Sequence, residues 1–270
     1  MGESFEEPVV GLLAEEWEAI CGLGGQLTDE EWDLPSECPG WTVRDVLSHM
    51  VGTERSLLGD PQPPAAPEAP HVRNPVGTMN EAWVAERRGR PGSEVLAEFE
   101  AVTRRRIEEL AGFGRERFEQ VGPSPVGQVP YREFMAVRVM DCWVHEQDMR
   151  VATGRPGHSE GPVADLALGR IASAMGFVVG KKAAAPEGTT VRFSLSGPSA
   201  RELGVAVRDG RGRAEELSEP TLTLEMDTEV FWRLGCGRVS GEAALDAGLV
   251  GMGGDEDLGR RILRNMAFMI

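Results

Sequence analysis

The sequence predicts an α+β protein of two domains, an all-helical bundle over residues 1–184 and a small α+β domain over 185–270. Three observations predict this. Apolar residues recur at helical spacing through the first two-thirds of the chain. After about residue 186 the apolar period falls to two, the period of a half-buried strand. Between these regions lies the loop-like run Lys182-Ala-Ala-Ala-Pro-Glu-Gly188. A chain of 270 residues can build two cores, since domains commonly take roughly 100–200 residues each.

The elements follow in order. Val9, Leu12, Leu13, Trp17 and Ile20 share one face of a helix over 9–21. Thr28 with Glu31 has the form of a capping box. A stiff corner, Leu34-Pro-Ser-Glu-Cys-Pro-Gly-Trp41, comes next, because each proline disfavours helix in the residue before it. Thr42 can cap the following helix, with Asp45 in its first turn and Val46, Leu47, Met50, Val51 and Leu58 along one stripe. The proline-rich run 60–76 is a loop. Residues 79–89 and 93–113 are helical, 114–130 break the chain, and a long helix runs from Tyr131 to Thr153 until Gly154 and Pro156 stop it. A further helix covers 162–181. Alternation then predicts strands at Val191-Phe193-Leu195, Leu203-Val205-Val207 and Leu222-Leu224-Met226. Helices close the chain near 227–235 and 255–269.

Composition excludes some functions. The formal net charge is −16, against the basic surface that phosphate backbones and anionic lipid require. No apolar run is expected to reach the roughly 20 residues of a bilayer span, and the acidic N-terminus lacks a secretory pattern. Nucleic-acid and membrane partners are therefore not expected. Cys21, Cys38, Cys142 and Cys236 are scattered, as expected of reduced thiols in a cytoplasmic protein. There is no G-x-S-x-G elbow, Walker A motif or dinucleotide fingerprint. Gly251-Met-Gly-Gly254 reads as a turn capped by Asp255, because Asp255, Glu256 and Asp257 would repel a phosphate.

Histidine is scarce. His71 and His158 fall in loops and read as solvated. His49 and His145 fall within amphipathic helices. On the long helix, Phe134, Val137, Asp141, Val144, His145, Asp148 and Ala152 share the core-facing side, with Arg138 at its margin. Carboxylates and an imidazole on such a face need partners. Asp141 and His145 stand at i and i+4, so both side chains can reach one ion, and His49 can point inward from its own helix. Two imidazoles and a carboxylate with an open position suit catalytic zinc or non-haem iron. The same spacing also fits an internal polar pair or a solvated face.

Trp32-Asp-Leu-Pro-Ser-Glu-Cys-Pro-Gly-Trp-Thr-Val-Arg-Asp-Val-Leu-Ser-His49 resembles the N-terminal signature of the mycothiol-dependent maleylpyruvate isomerase family, the actinobacterial branch of the DinB-like four-helix bundles. Asp141-Cys-Trp-Val-His-Glu-Gln-Asp-Met-Arg-Val-Ala-Thr-Gly154 resembles its second signature. Phe231, Leu234, Gly237-Arg238 and Gly254-Asp255 are similar to its small sterol-carrier-like α/β domain. The resemblance implies a bundle that holds a divalent metal, usually zinc, through His49, Asp141 and His145. The middle ligand is Glu in the isomerase itself and is shorter by one methylene here. The resemblance also implies mycothiol as a low-molecular-weight thiol cosubstrate and a small-molecule electrophile as its partner. An adduct that rotates and expels the thiol gives cis–trans isomerisation; an adduct that is released makes the protein an S-transferase. Asp148 then orients His145 or pairs with an arginine such as Arg138. Arg238 meets an anionic substrate across the domain interface or forms a structural pair. Two other readings stand beside this one: a metal enzyme that uses bound water, and a non-catalytic ligand-binding protein with a degenerate site.

Overall fold

A computed structural model describes residues 5–66 and 68–269. The chain divides into two compact units, the first ending at His158 and the second starting at Ser159. The helix at 162–173 thus falls in the second unit, whereas helical periodicity alone assigns it to the first.

The first unit is built on four packed helices, α1 (Pro8–Gly24), α2 (Val43–Leu57), α4 (Gly92–Ala111) and α6 (Tyr131–Thr153), with α3 (Pro75–Ala85) laid on α2. Pro8 opens α1, where its missing N–H costs nothing. Val9, Leu13, Trp17, Ile20 and Leu23 are buried on its inner face. Thr28 and Glu31 form the reciprocal bonds of a capping box, but the segment they start is a single 3₁₀ turn, Glu31–Asp33. Pro35 explains the stop, since Leu34 before it takes an extended conformation. Thr42 and Asp45 form a full capping box on α2. Helix α6 is buried nearly all round, as the central helix of a bundle. It ends at Gly154 in the left-handed conformation, with φ 65°.

Three helices are joined by ionic bonds within this core. Glu54 of α2 accepts from Arg106 of α4 at 3.0 Å and from Arg138 of α6 at 2.9 Å. All three side chains are buried. The stretch 114–130, expected to be an unstructured break, contains a short helix α5 (Arg115–Glu119) and a hairpin of β1 (Val121–Ser124) and β2 (Gly127–Pro130). Its strands are rich in Gly and Pro and bury no residue, so no apolar alternation marks them.

The second unit opens with α7 (Pro162–Ser173), α8 (Met175–Phe177) and a π-helical turn over Val178–Lys182. Together they make a helix of 21 residues, long and apolar enough by composition to cross a bilayer. This corrects the expectation that no segment reaches that length. The segment carries Asp165 and Arg170, and its Val163, Ala167, Leu168, Ile171, Met175, Val178 and Val179 are buried in the protein core.

The sheet is formed by β3 (Thr190–Ser196), β4 (Arg201–Arg208), β5 (Arg211–Ala214), β6 (Leu222–Asp227) and β7 (Val250–Gly254), in the order β5-β4-β3-β6-β7. Only β3 and β6 pair in parallel; the other neighbours are antiparallel. Phe193 lies opposite Leu203 on β4 and Leu224 on β6. Helices α9 (Thr228–Gly235) and α11 (Glu256–Arg264) pack on the sheet, and α10 (Gly241–Asp246) packs on α11. The edge strands β5 and β7 are the two that periodicity does not reveal, because most of their residues face solvent. The glycines at 251–254 therefore belong to a strand rather than a turn. Asp255 does cap α11, accepting from the Leu258 N–H at 3.0 Å.

Candidate metal centre

Two local structures bring His49 and His145 together. The first is the corner before α2. Gly40 takes φ +81°, and a methyl group on it would lie 2.3 Å from Nδ1 of His71. That position admits only glycine on both counts. The turn sets the Trp41 ring over His49, with centroids 5.3 Å apart, and 6.4 Å from His145. Trp41 is fixed from behind, because its Nε1 donates to Glu81 Oε2 at 2.9 Å. Glu81 also meets His71 at 2.9 Å and Arg88 at 2.7 Å. Burial raises the Glu81 carboxyl, but the bonds from Trp41, His71 and Arg88 outweigh it and hold the group below its usual range. His71 is thus a clamp of the Trp41 corner, not the solvated loop residue the sequence suggests.

The second structure is α6. His145 Nε2 lies 3.8 Å from Asp141 Oδ1, and His49 Nε2 lies 3.4 Å from Asp141 Oδ2. The imidazoles meet edge to face at 4.9 Å. One donor atom from each of His49, Asp141 and His145 falls within 4.8 Å of the other two. His145 Nδ1 is 3.0 Å from Asp148 Oδ2. A carboxylate there favours the tautomer with a proton on Nδ1 and a lone pair on Nε2. Asp148 also accepts from Cys38 Sγ at 3.2 Å and is fully buried.

Electrostatics favours ligating forms of the other two residues. Burial pushes the His49 imidazole below its ordinary value, and Asp141 opposes that only in part. The neutral ring, the form that binds a metal, is therefore favoured. Burial raises Asp141, but the Arg138 guanidinium, followed by His145 and His49, holds its carboxyl well below the usual range. Arg138 is itself bonded to Asp141. His49 Nδ1 is buried and neither accepts nor donates a hydrogen bond.

Arg238 lies in the second unit, after α9, and donates from Nη1 to the Cys236 carbonyl at 2.8 Å. Sequence reasoning gives no role to Trp41, Cys38 or Glu81 at this centre. A proline-glycine corner leading directly into the His49 helix is the available signal. His158, expected to be solvated, is half-buried and bonded to Glu146 at 2.7 Å.

Over 152 residues the chain is 28% identical to an uncharacterized protein of Mycobacterium tuberculosis, found in two strains. The match takes in 54% of this chain and 57% of the relative. The chain thus spans little more than half the length of the curated relatives it matches. A crystal structure of the mycothiol-dependent maleylpyruvate isomerase superposes with a TM-score of 0.58 at 15% identity, covering 86% of this chain and 89% of that one. A histidine-to-alanine mutant of that isomerase gives 0.59 at 15% identity, covering 91% and 92%. These likenesses show a shared fold. Residues 13–150, more than half of the sequence, match the mycothiol maleylpyruvate isomerase N-terminal domain. The chain belongs to that family.

Proposed function

We propose that this protein is an enzyme that uses a divalent metal, most simply zinc, and a low-molecular-weight thiol to act on a small electrophile. The thiol of the related isomerase is mycothiol, and it is the thiol proposed here. The observation that carries the reading is the donor set: two imidazoles and one carboxylate within 4.8 Å, with Asp148 on the far nitrogen of His145. Two nitrogens and one oxygen leave a tetrahedral zinc an open position.

His49, Asp141 and His145 would hold the ion, and the ion would lower the pKa of a thiol reaching its open position, supplying a thiolate nucleophile near neutral pH. Asp148 keeps the His145 proton on Nδ1 and fixes the ring. Arg138 holds the shorter Asp141 side chain in its charged form. Trp41 packs against His49, with the ring planes tilted by 33°, and so limits the positions the imidazole can take. Arg238 is a candidate contact for an anionic substrate.

Formation of a carbon–sulfur bond by the thiolate and its later cleavage, with rotation between, gives an isomerase; release of the conjugate gives an S-transferase. The test is incubation of the zinc-loaded protein with mycothiol and a cis-configured unsaturated dicarboxylate or an alkylating electrophile. Thiol-dependent isomer or conjugate, lost in His145→Ala, is the expected result. Turnover that persists without any thiol would replace this reading with one based on bound water.

A further inference from the structure

A second cluster lies on the α1 side of α6. It is formed by Glu16 of α1, Glu146 of α6 and His158 beyond the end of α6, with one donor atom from each within 4.8 Å of the others. Glu16 and Glu146 are completely buried. His158 Nδ1 lies 2.7 Å from Glu146 Oε2 and 3.4 Å from Glu16 Oε2.

The members differ in how well they are satisfied. Arg150 bonds Glu146 Oε1 through Nε at 2.8 Å and Nη2 at 2.7 Å. Glu16 is fully buried, yet neither of its oxygens makes a hydrogen bond. An ionised carboxylate in that position has only His158 Nδ1, at 3.4 Å, within reach, and a protonated one lacks an acceptor for its O–H; both are costly states.

The third donor is held in place. His158 adopts φ +52°, an uncommon conformation for a residue with a side chain. Its carbonyl accepts from Trp143 Nε1 at 2.8 Å, and Arg150 Nη1 reaches the Arg155 carbonyl at 3.2 Å. The loop thus presents the ring to two buried carboxylates. The His158 side chain is 15% exposed, and its Nε2 lies 3.8 Å from the exposed Glu15.

We propose that Glu16, Glu146 and His158 form a second divalent-cation site, separate from His49, Asp141 and His145, that clips α1 to α6 and to the loop after α6. One imidazole with two carboxylates suits zinc and its first-row neighbours. Arg150 takes the outer position, bonding the ligating carboxylate as such partners do.

The test is calorimetric titration of the metal-stripped full chain with Zn²⁺, on the wild type, Glu16→Gln, His158→Asn and His49→Ala, with circular dichroism as a check on folding. Asn tolerates positive φ, so His158→Asn preserves the loop if Glu16→Gln does not fold. The wild type is expected to bind two equivalents and each variant one. If Glu16→Gln and His158→Asn bind as much zinc as the wild type, the second site does not exist. A wild type with one equivalent that only His49→Ala removes would equally rule the second site out. One equivalent that survives His49→Ala and disappears in His158→Asn would uphold the second site and overturn the first.

Discussion

Asp148 never needs to touch a metal to govern one. Its carboxylate sits on His145 Nδ1 at 3.0 Å and is closed off from water. Asp148→Asn leaves the shape of the pocket but removes the charge that selects the His145 tautomer. Zinc affinity should fall roughly 10–100-fold, the usual effect of losing such a partner. Equilibrium competition against a chromophoric chelator checks this; unchanged affinity would make the contact ornamental. Much of this residue-level detail is legible in the sequence. The i, i+4 spacing of Asp141 and His145 puts both on the face that the structure turns inward. The position of Asp148 one turn later on that face leaves two partners open, His145 and Arg138, and only three-dimensional packing can choose. The Glu16 cluster is not legible, because its three members come from separate segments and one lies in a loop that looks polar.

At the scale of elements, Glu54 is the joint of the bundle. It receives one guanidinium from α4 and another from α6. Glu54→Ala removes the shared counter-ion of Arg106 and Arg138, which keep Glu109 and Asp141 respectively. The loss should therefore fall below the roughly 3–5 kcal/mol of a fully unpaired buried charge. Urea unfolding should show a lowered midpoint with an unchanged slope; a midpoint within error of the wild type would contradict the role. Gly40→Ala should act differently. It strains the turn and pushes on His71, so it should disturb Trp41 and the His49 ring as well as global stability. A change in tryptophan fluorescence together with a lowered urea midpoint is the expected signature. The helices are readable because apolar stripes and caps are local: the Tyr131 to Thr153 span and the Thr42 cap coincide with α6 and α2. The hairpin at 121–130, β5 and β7 are not. Their strands bury almost none of their residues, so their pairing is fixed by backbone bonds that carry no sequence period.

For the whole molecule, the acid–base balance sets a direction. Glu81 and Glu98 are held below the ordinary carboxyl value although burial alone would raise them; Trp41, His71 and Arg88 act on the first, and Arg87 and Arg90 on the second. A folded value below the unfolded one contributes stability above the unfolded carboxyl value, about 4.3 for Glu, that is lost as pH falls through the folded value. His158 has the opposite sign: its bond to Glu146 raises it. Its contribution is complete below the unfolded imidazole value of about 6.5 and is lost as pH rises through the folded one. His49, held below its ordinary value, has the reverse sign to His158 and opposes it through the imidazole range. The Glu81 and Glu98 bonds therefore give the firm direction: the metal-stripped chain should lose stability as pH falls below about 4.3. Urea midpoints measured across pH test this; a midpoint that holds or rises as pH falls below that value would contradict it.

The most direct measurement on the first metal centre is elemental mass spectrometry of the untagged protein beside His145→Ala, both loaded with zinc and freed of excess. Loss of one zinc equivalent in the variant, with helical content kept, is the predicted result. A folded His145→Ala protein that carries the full wild-type complement would mean that His49, Asp141 and His145 are an internal polar cluster, and that the chemistry of this chain lies elsewhere.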